Sequence, residues 1–83
     1  MNKIVIKLLT APGCSLCNKS YFILNKIKHK FRVRVFIVDI SKSTEYQQYR
    51  QKIPVILVNE EMVSEMKTNE TKIRIAIEKI INK

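Results

Sequence analysis

Ala11-Pro12-Gly13-Cys14-Ser15-Leu16-Cys17 contains both cysteines of this 83-residue chain. It follows an apolar run at residues 4–9, broken only by Lys7, and precedes an amphipathic stretch at residues 15–30. Pro12 and Gly13 mark a turn between the two. Two cysteines three apart at a strand-to-helix turn form a redox dithiol arrangement. Cys14 is expected at or just before the first helical turn, where free N–H groups and the helix dipole favour a thiolate. Residues i and i+3 share one side of a helix, so Cys17 lies one turn further on. Leu16 is expected to start the buried face and draw Cys17 inward. Cys14 is then placed to attack a disulfide, and Cys17 to resolve the mixed disulfide that results. The bland alternative is a pair of inert buried thiols.

Working outward, residues 3–9 read as a central strand covered on both faces. Over residues 15–30, Leu16, Ser20, Ile23, Leu24, Ile27 and Phe31 repeat with the spacing of one helical face. Lys28, His29 and Lys30 suit the negative end of that helix. Residues 32–39 read as a second strand, with Arg32 and Arg34 pointing outward at its start. A short helix through Arg50 follows, capped by Ser41 or Ser43, with Tyr46 and Tyr49 as packing residues. Residues 54–58 form a third strand whose first residue is Pro54, where a strand can spare an N–H. Asn59-Glu60 is a tight-turn signal, and residues 61–66 read as the edge strand. The last segment alternates like a strand at residues 73–77. Its length favours a helix capped by Thr68 or Asn69. The order is β-α-β-α-β-β-α in one domain spanning residues 1–83, with strands one and two parallel and the last two a hairpin.

Composition narrows the field. Hydrophobic residues make up 46% and charged residues 28%, a globular balance. No apolar run reaches the ~20 residues of a membrane span. The early first strand leaves no room for a signal peptide, so a cytoplasmic location is expected, with no membrane partner. In a reducing compartment a cysteine pair this close is catalytic or metal-binding rather than a staple. The net charge of +9 is spread over every segment, and no basic groove is interleaved with stacking aromatics. A specific nucleic-acid role is therefore not expected. Zinc needs four ligands, and His29 lies about three turns down the helix from the cysteines, so no metal site is expected within one chain. Asp39 reads as a turn or cap residue.

Cys14-Ser15-Leu16-Cys17 after a strand, with Lys52-Ile53-Pro54-Val55 before a hairpin, resembles the glutaredoxin branch of the thioredoxin superfamily. More narrowly, the dithiol stretch, Val38-Asp39-Ile40 and Ile53-Pro54-Val55-Ile56-Leu57-Val58 are similar to the small glutaredoxin-like proteins with the pattern P-G-C-x-L-C, V-D-I and I-P-V-L. The resemblance covers nearly the whole chain. It implies a thioredoxin/glutaredoxin-like α/β fold, with a four-stranded mixed sheet in the order 2-1-3-4 and helices on both faces. It implies a cis Pro54 against the dithiol, and an Ile53 backbone that pairs with substrate like an added strand. It also implies Cys14 as nucleophile, Cys17 as resolving thiol, and electron transport through a redox-active disulfide. The expected substrate is a disulfide-containing protein or a small thiol. The expected reductant is glutathione or a thioredoxin-type reductase, with no bound cofactor and a monomeric chain.

The sequence departs from the family pattern at several places. Ser15-Leu16 replaces the usual Pro-Tyr between the cysteines, and Ala11 stands where many members carry a base. No glycine follows Pro54, so the Gly-Gly and acidic turn that hold glutathione are missing. Lys52 or Lys7 is the candidate to replace the absent base. Two other classes stay open from sequence: a redox-silent binding or scaffold domain, and a metal or iron–sulfur carrier using Cys14 across a dimer.

Overall fold

The computed structural model describes residues 3–82. Strands β1 (Val5–Thr10), β2 (Arg34–Asp39), β3 (Val55–Val58) and β4 (Glu61–Glu65) make one sheet in the order β2-β1-β3-β4. β1 runs parallel to β2 and antiparallel to β3, and β3 is antiparallel to β4. The helices are α1 (Cys17–Lys30) and α2 (Glu70–Ile81). No helix among the described residues is long and apolar enough to cross a membrane.

The strands that read as most apolar lie at the centre. All four residues of β3 are buried. Side chains alternate across a strand, so Ile4, Ile6, Leu8, Ile56 and Val58 point to one face of the sheet. There they meet Leu24 and Ile27 of α1 and Ile73 and Ile77 of α2. Leu9, Val55 and Leu57 point to the other face and pack with Ile40 and Tyr46. Each such side chain contributes about 1.5–3 kcal/mol when fully buried. The helix-covered face, with the longer set of buried residues, is therefore the main anchor of the sheet.

Two local expectations are corrected here, although the fold class stands. Both α-helices cover the same face of the sheet, where helices on both faces were expected. The expected helix through Arg50 is instead two single turns of 3-10 helix, Ile40–Lys42 and Gln47–Tyr49. The Gln47 side-chain amide donates to the Ile40 and Ser43 carbonyls, at 3.0 and 2.5 Å, taking acceptors that a continuous helix would use. Asp39 caps the first turn by accepting from the Ser41 amide and hydroxyl. The Ser41 hydroxyl first, then its amide, hold the Asp39 carboxyl below the usual carboxylate range.

The hairpin and final helix match their sequence signals. Asn59 and Glu60 both have positive φ, 49° and 69°, as a two-residue hairpin turn requires. The Asn59 amide donates to the Val5 carbonyl, and its side chain accepts from the Val5 amide, so the turn is fastened to β1. Asn69, one of the two candidate caps, accepts from the Lys72 amide at 3.0 Å.

Candidate functional site at the dithiol turn

β1 ends at Thr10, and the chain must reverse within a few residues to lay α1 on the sheet. Gly13 makes the reversal with φ +83°, a value that a side chain would strain. The Cys14 amide donates to the Ala11 carbonyl at 3.3 Å, and the Cys17 amide donates to the Cys14 carbonyl at 3.4 Å. Two linked turns thus carry the chain into the helix. α1 begins at Cys17, two residues later than its periodicity suggests, with Leu16 as N-cap. No side chain caps this helix end and no acid lies in its first turn. The positive end of the helix is therefore left facing the cysteines.

Cys14 and Cys17 are joined in a disulfide with their Cα atoms 5.5 Å apart. Cys14 is half-buried, whereas Cys17 is only 9% exposed. Leu16 does not start the buried face. It is 45% exposed because it precedes the helix, and Cys17 takes the first inward position. One turn further in, Ser20 is fully buried. Its hydroxyl contacts the Leu16 carbonyl and the Thr68 hydroxyl, tying the dithiol helix to the loop before α2.

β3 runs back toward the dithiol end of the sheet, because Val55 pairs with Leu9. This brings the residues before β3 beside the cysteines. The Ile53–Pro54 peptide bond is cis. Ile53 lines a shallow depression together with Pro12, Gly13, Cys14, Ser15 and Leu16. Pro54 is fully buried and is not part of that lining. The Lys52 carbonyl accepts from the Met66 amide at 2.8 Å, so the approach to Ile53 is tied to the end of β4.

The two candidate replacement bases are both engaged. Lys52 pairs with Glu65 at 3.8 Å. Lys7 pairs with Glu60 and hydrogen-bonds the Tyr46 hydroxyl at 2.9 Å, toward the hairpin turn and away from the dithiol. The Glu60 hydrogen bond, then the Tyr46 one, push the Lys7 ammonium above its ordinary range. One residue takes a role other than the sequence reading gave it, and one emerges that the sequence reading did not single out. Leu16 is an apolar rim of the depression. Arg50 lines a neighbouring hollow with Ala11, Ile40, Ser41 and Gln47. The exposure of Leu16 follows from the later helix start, which the periodicity does not record, and nothing local flags Arg50. His29 sits exposed in the last turn of α1. No group of three or more His, Cys, Asp or Glu among the described residues could hold a metal ion.

The family model of the glutaredoxin-like domain (DUF836) matches residues 5–82. The chain belongs to this glutaredoxin-like family. No curated protein matches the sequence significantly. Among solved structures, a mutant thioredoxin from Halobacterium salinarum superposes with a TM-score of 0.71 at 16% identity, covering 95% of this chain and 75% of that one. Thioredoxin O2 from Arabidopsis thaliana in its oxidized state gives 0.65 at 14% identity, over 94% and 75%. Oxidised thioredoxin from Plasmodium falciparum gives 0.64 at 20% identity, over 94% and 81%. At such identities these neighbours establish the thioredoxin fold. The glutaredoxin-like family and a Cys14–Cys17 pair at disulfide distance together point to thiol–disulfide redox chemistry.

Proposed function

We propose that this glutaredoxin-like protein is a dithiol oxidoreductase that reduces disulfides on proteins or mixed disulfides with glutathione. The observation that carries the proposal is the unequal exposure of the paired cysteines: Cys14 faces the depression that Ile53 also lines, and Cys17 is buried behind it. In the reduced protein the Cys14 thiolate attacks one sulfur of the substrate disulfide. A Cys14–substrate bond forms and the other substrate sulfur leaves as a thiolate, which takes a proton. Cys17 then loses its proton and attacks Cys14 Sγ. The Cys14–Cys17 bond forms, and the second substrate sulfur leaves and is protonated. Two electrons and two protons pass to the substrate.

Ile53 is the backbone partner for the chain on either side of the substrate sulfur, and buried Pro54 orients it. A dithiol of a thioredoxin-type reductase, or two molecules of glutathione, returns the two electrons. The protein works as a monomer without bound cofactor, in the cytoplasm, where such reductants are maintained. Where glutathione is the partner, Arg50 is the basic group placed beside Ala11 to meet a carboxylate, since Lys7 and Lys52 are held by glutamates.

An equilibrium titration of the Cys14/Cys17 pair against glutathione and against a thioredoxin couple tests the proposal. A two-electron transition is expected, with a tenfold change in equilibrium constant per ~30 mV. Turnover of a protein disulfide or a glutathione mixed disulfide should vanish in Cys14→Ser. Retained turnover in that variant would refute Cys14 as the nucleophile, and an absence of turnover in the parent protein would refute the proposal and leave the domain with a binding role.

A further inference from the structure

The charge of this chain is unevenly distributed along it. All seven acidic residues lie from Asp39 onward, whereas half of the sixteen basic ones precede it. The fold gathers a large share of that unbalanced charge along one side. Lys28, His29 and Lys30 end α1, Arg32 lies in the connection that follows and Arg34 opens β2; all five are exposed. The ion pairs among the described residues are Lys7–Glu60, Lys26–Glu70 and Lys52–Glu65, so none of these five is neutralised by one.

The same side holds an open sheet edge, because β2 ends the strand order. The Arg34 amide donates inward to the Ile4 carbonyl. Along a strand each residue's N–H and C=O point to the same side, and successive residues alternate. Arg34, Phe36 and Val38 therefore face β1, while Val35 and Ile37 turn their N–H and C=O groups to the free edge. Phe36 and Ile37 are 48% and 49% exposed, one on each face of the sheet. Beside them, Tyr21, Asn25 and Lys28 of α1 form a small hollow with Val35 and Ile37. The opposite edge differs: β4 presents Glu61 and Glu65 and carries a register shift opposite Ile56/Leu57, both of which hinder strand addition.

We propose that the free edge of β2 docks an extended acidic segment of a partner protein, which adds as a fifth strand. The Val35 and Ile37 backbone groups pair with it. Phe36 and Ile37 pack its apolar side chains on the two faces. Lys28, Lys30, Arg32 and Arg34 attract its carboxylates. A second copy of this chain is a poorer occupant, because the only acid its β2 edge brings is Asp39, whose carboxylate is already engaged by the Ser41 amide and hydroxyl, against the several cations beside that edge. Nucleic acid would use the charge but leave the strand edge unpaired. The proposal does not depend on the dithiol reaction, since the edge residues lie outside the depression at Cys14.

The test is a titration of the whole protein with a synthetic (Glu-Val)4 peptide, followed by amide NMR and hydrogen exchange. A (Lys-Val)4 peptide, a thymidine oligonucleotide and anionic vesicles serve as comparison probes. The acidic peptide should shift and protect the Val35 and Ile37 amides, and its affinity should fall with added salt. Arg32→Glu/Arg34→Glu should weaken it about tenfold or more, with turnover at Cys14 unchanged. Ile37→Pro removes an outward N–H without touching the β1 ladder and should also weaken binding. If that variant unfolds, the charge variant alone decides. The proposal is overturned by unprotected Val35 and Ile37 amides, by equal binding of the basic peptide, or by DNA or vesicles outcompeting the acidic peptide.

Discussion

Replacing Ser20 with alanine tests how the dithiol helix is fastened to the rest of the chain. Ser20 is fully buried one turn past Cys17, and its hydroxyl meets the Leu16 carbonyl at 3.4 Å and the Thr68 hydroxyl. A serine has one proton to donate. With that proton on the Leu16 carbonyl, Thr68 donates to the Ser20 oxygen. The 3.4 Å bond is at the long end of useful geometry and contributes little. The main loss in Ser20→Ala is therefore the stranded Thr68 hydroxyl, which is half-buried and only partly open to water. A buried donor left without its acceptor costs about 1–3 kcal/mol, so we expect a loss of about 1–2 kcal/mol. For a domain of this size that is a fall in Tm of roughly 5–15 °C. Urea unfolding should show a lower midpoint with an unchanged slope. Ser20→Ala/Thr68→Val removes both hydroxyls and should recover part of the loss. The reasoning fails if Ser20→Ala shifts stability by less than about 0.3 kcal/mol, or if the double variant costs the full sum of the two single ones.

Three further expectations follow from the same structure. Asn69→Ala removes the side-chain cap of α2 and should cost about 1 kcal/mol, read by the urea midpoint, whereas Asn69→Asp should keep most of it. Glu60→Gln removes the chief cause of the raised Lys7 ammonium. A raised folded value means that the stabilisation is fully present below the unfolded lysine value near 10.5 and is lost as pH rises through the folded one. The Tm gap between the parent and Glu60→Gln should thus hold through neutral pH and close in strong alkali; a gap unchanged at high pH would count against the pair. Cys17→Ser should trap a Cys14–substrate mixed disulfide that mass spectrometry detects, and Cys14→Ser should not.

Much of this architecture is written in local patterns. The apolar runs at residues 4–9 and 55–58 mark the two central strands because both faces of the sheet are covered there. Asn59-Glu60 declares the hairpin, and the cysteine spacing declares the dithiol turn. What escapes the sequence depends on contacts between distant segments. Lys7 interrupts a buried strand, and its partner Glu60 lies 53 residues away. The two 3-10 turns are joined by the Gln47 side chain, which reaches back to two carbonyls, a contact no periodicity records. The exposure of Leu16 follows from a helix start displaced by two residues, a small shift at a helix end that nonetheless decides which residues line the depression.

The chain between β2 and β3 has a consequence for motion as well as for packing. Ile40, Tyr46, Tyr49 and Ile53 all belong to the smaller apolar cluster, which covers the face of the sheet that no α-helix shields. The Ile53 backbone that we propose pairs with substrate and the roof of that cluster are thus one continuous piece of polypeptide. Displacing Ile53 would loosen the whole roof, so under the proposed function the breadth of substrates accepted and the ease with which this half of the molecule breathes would be set by the same residues.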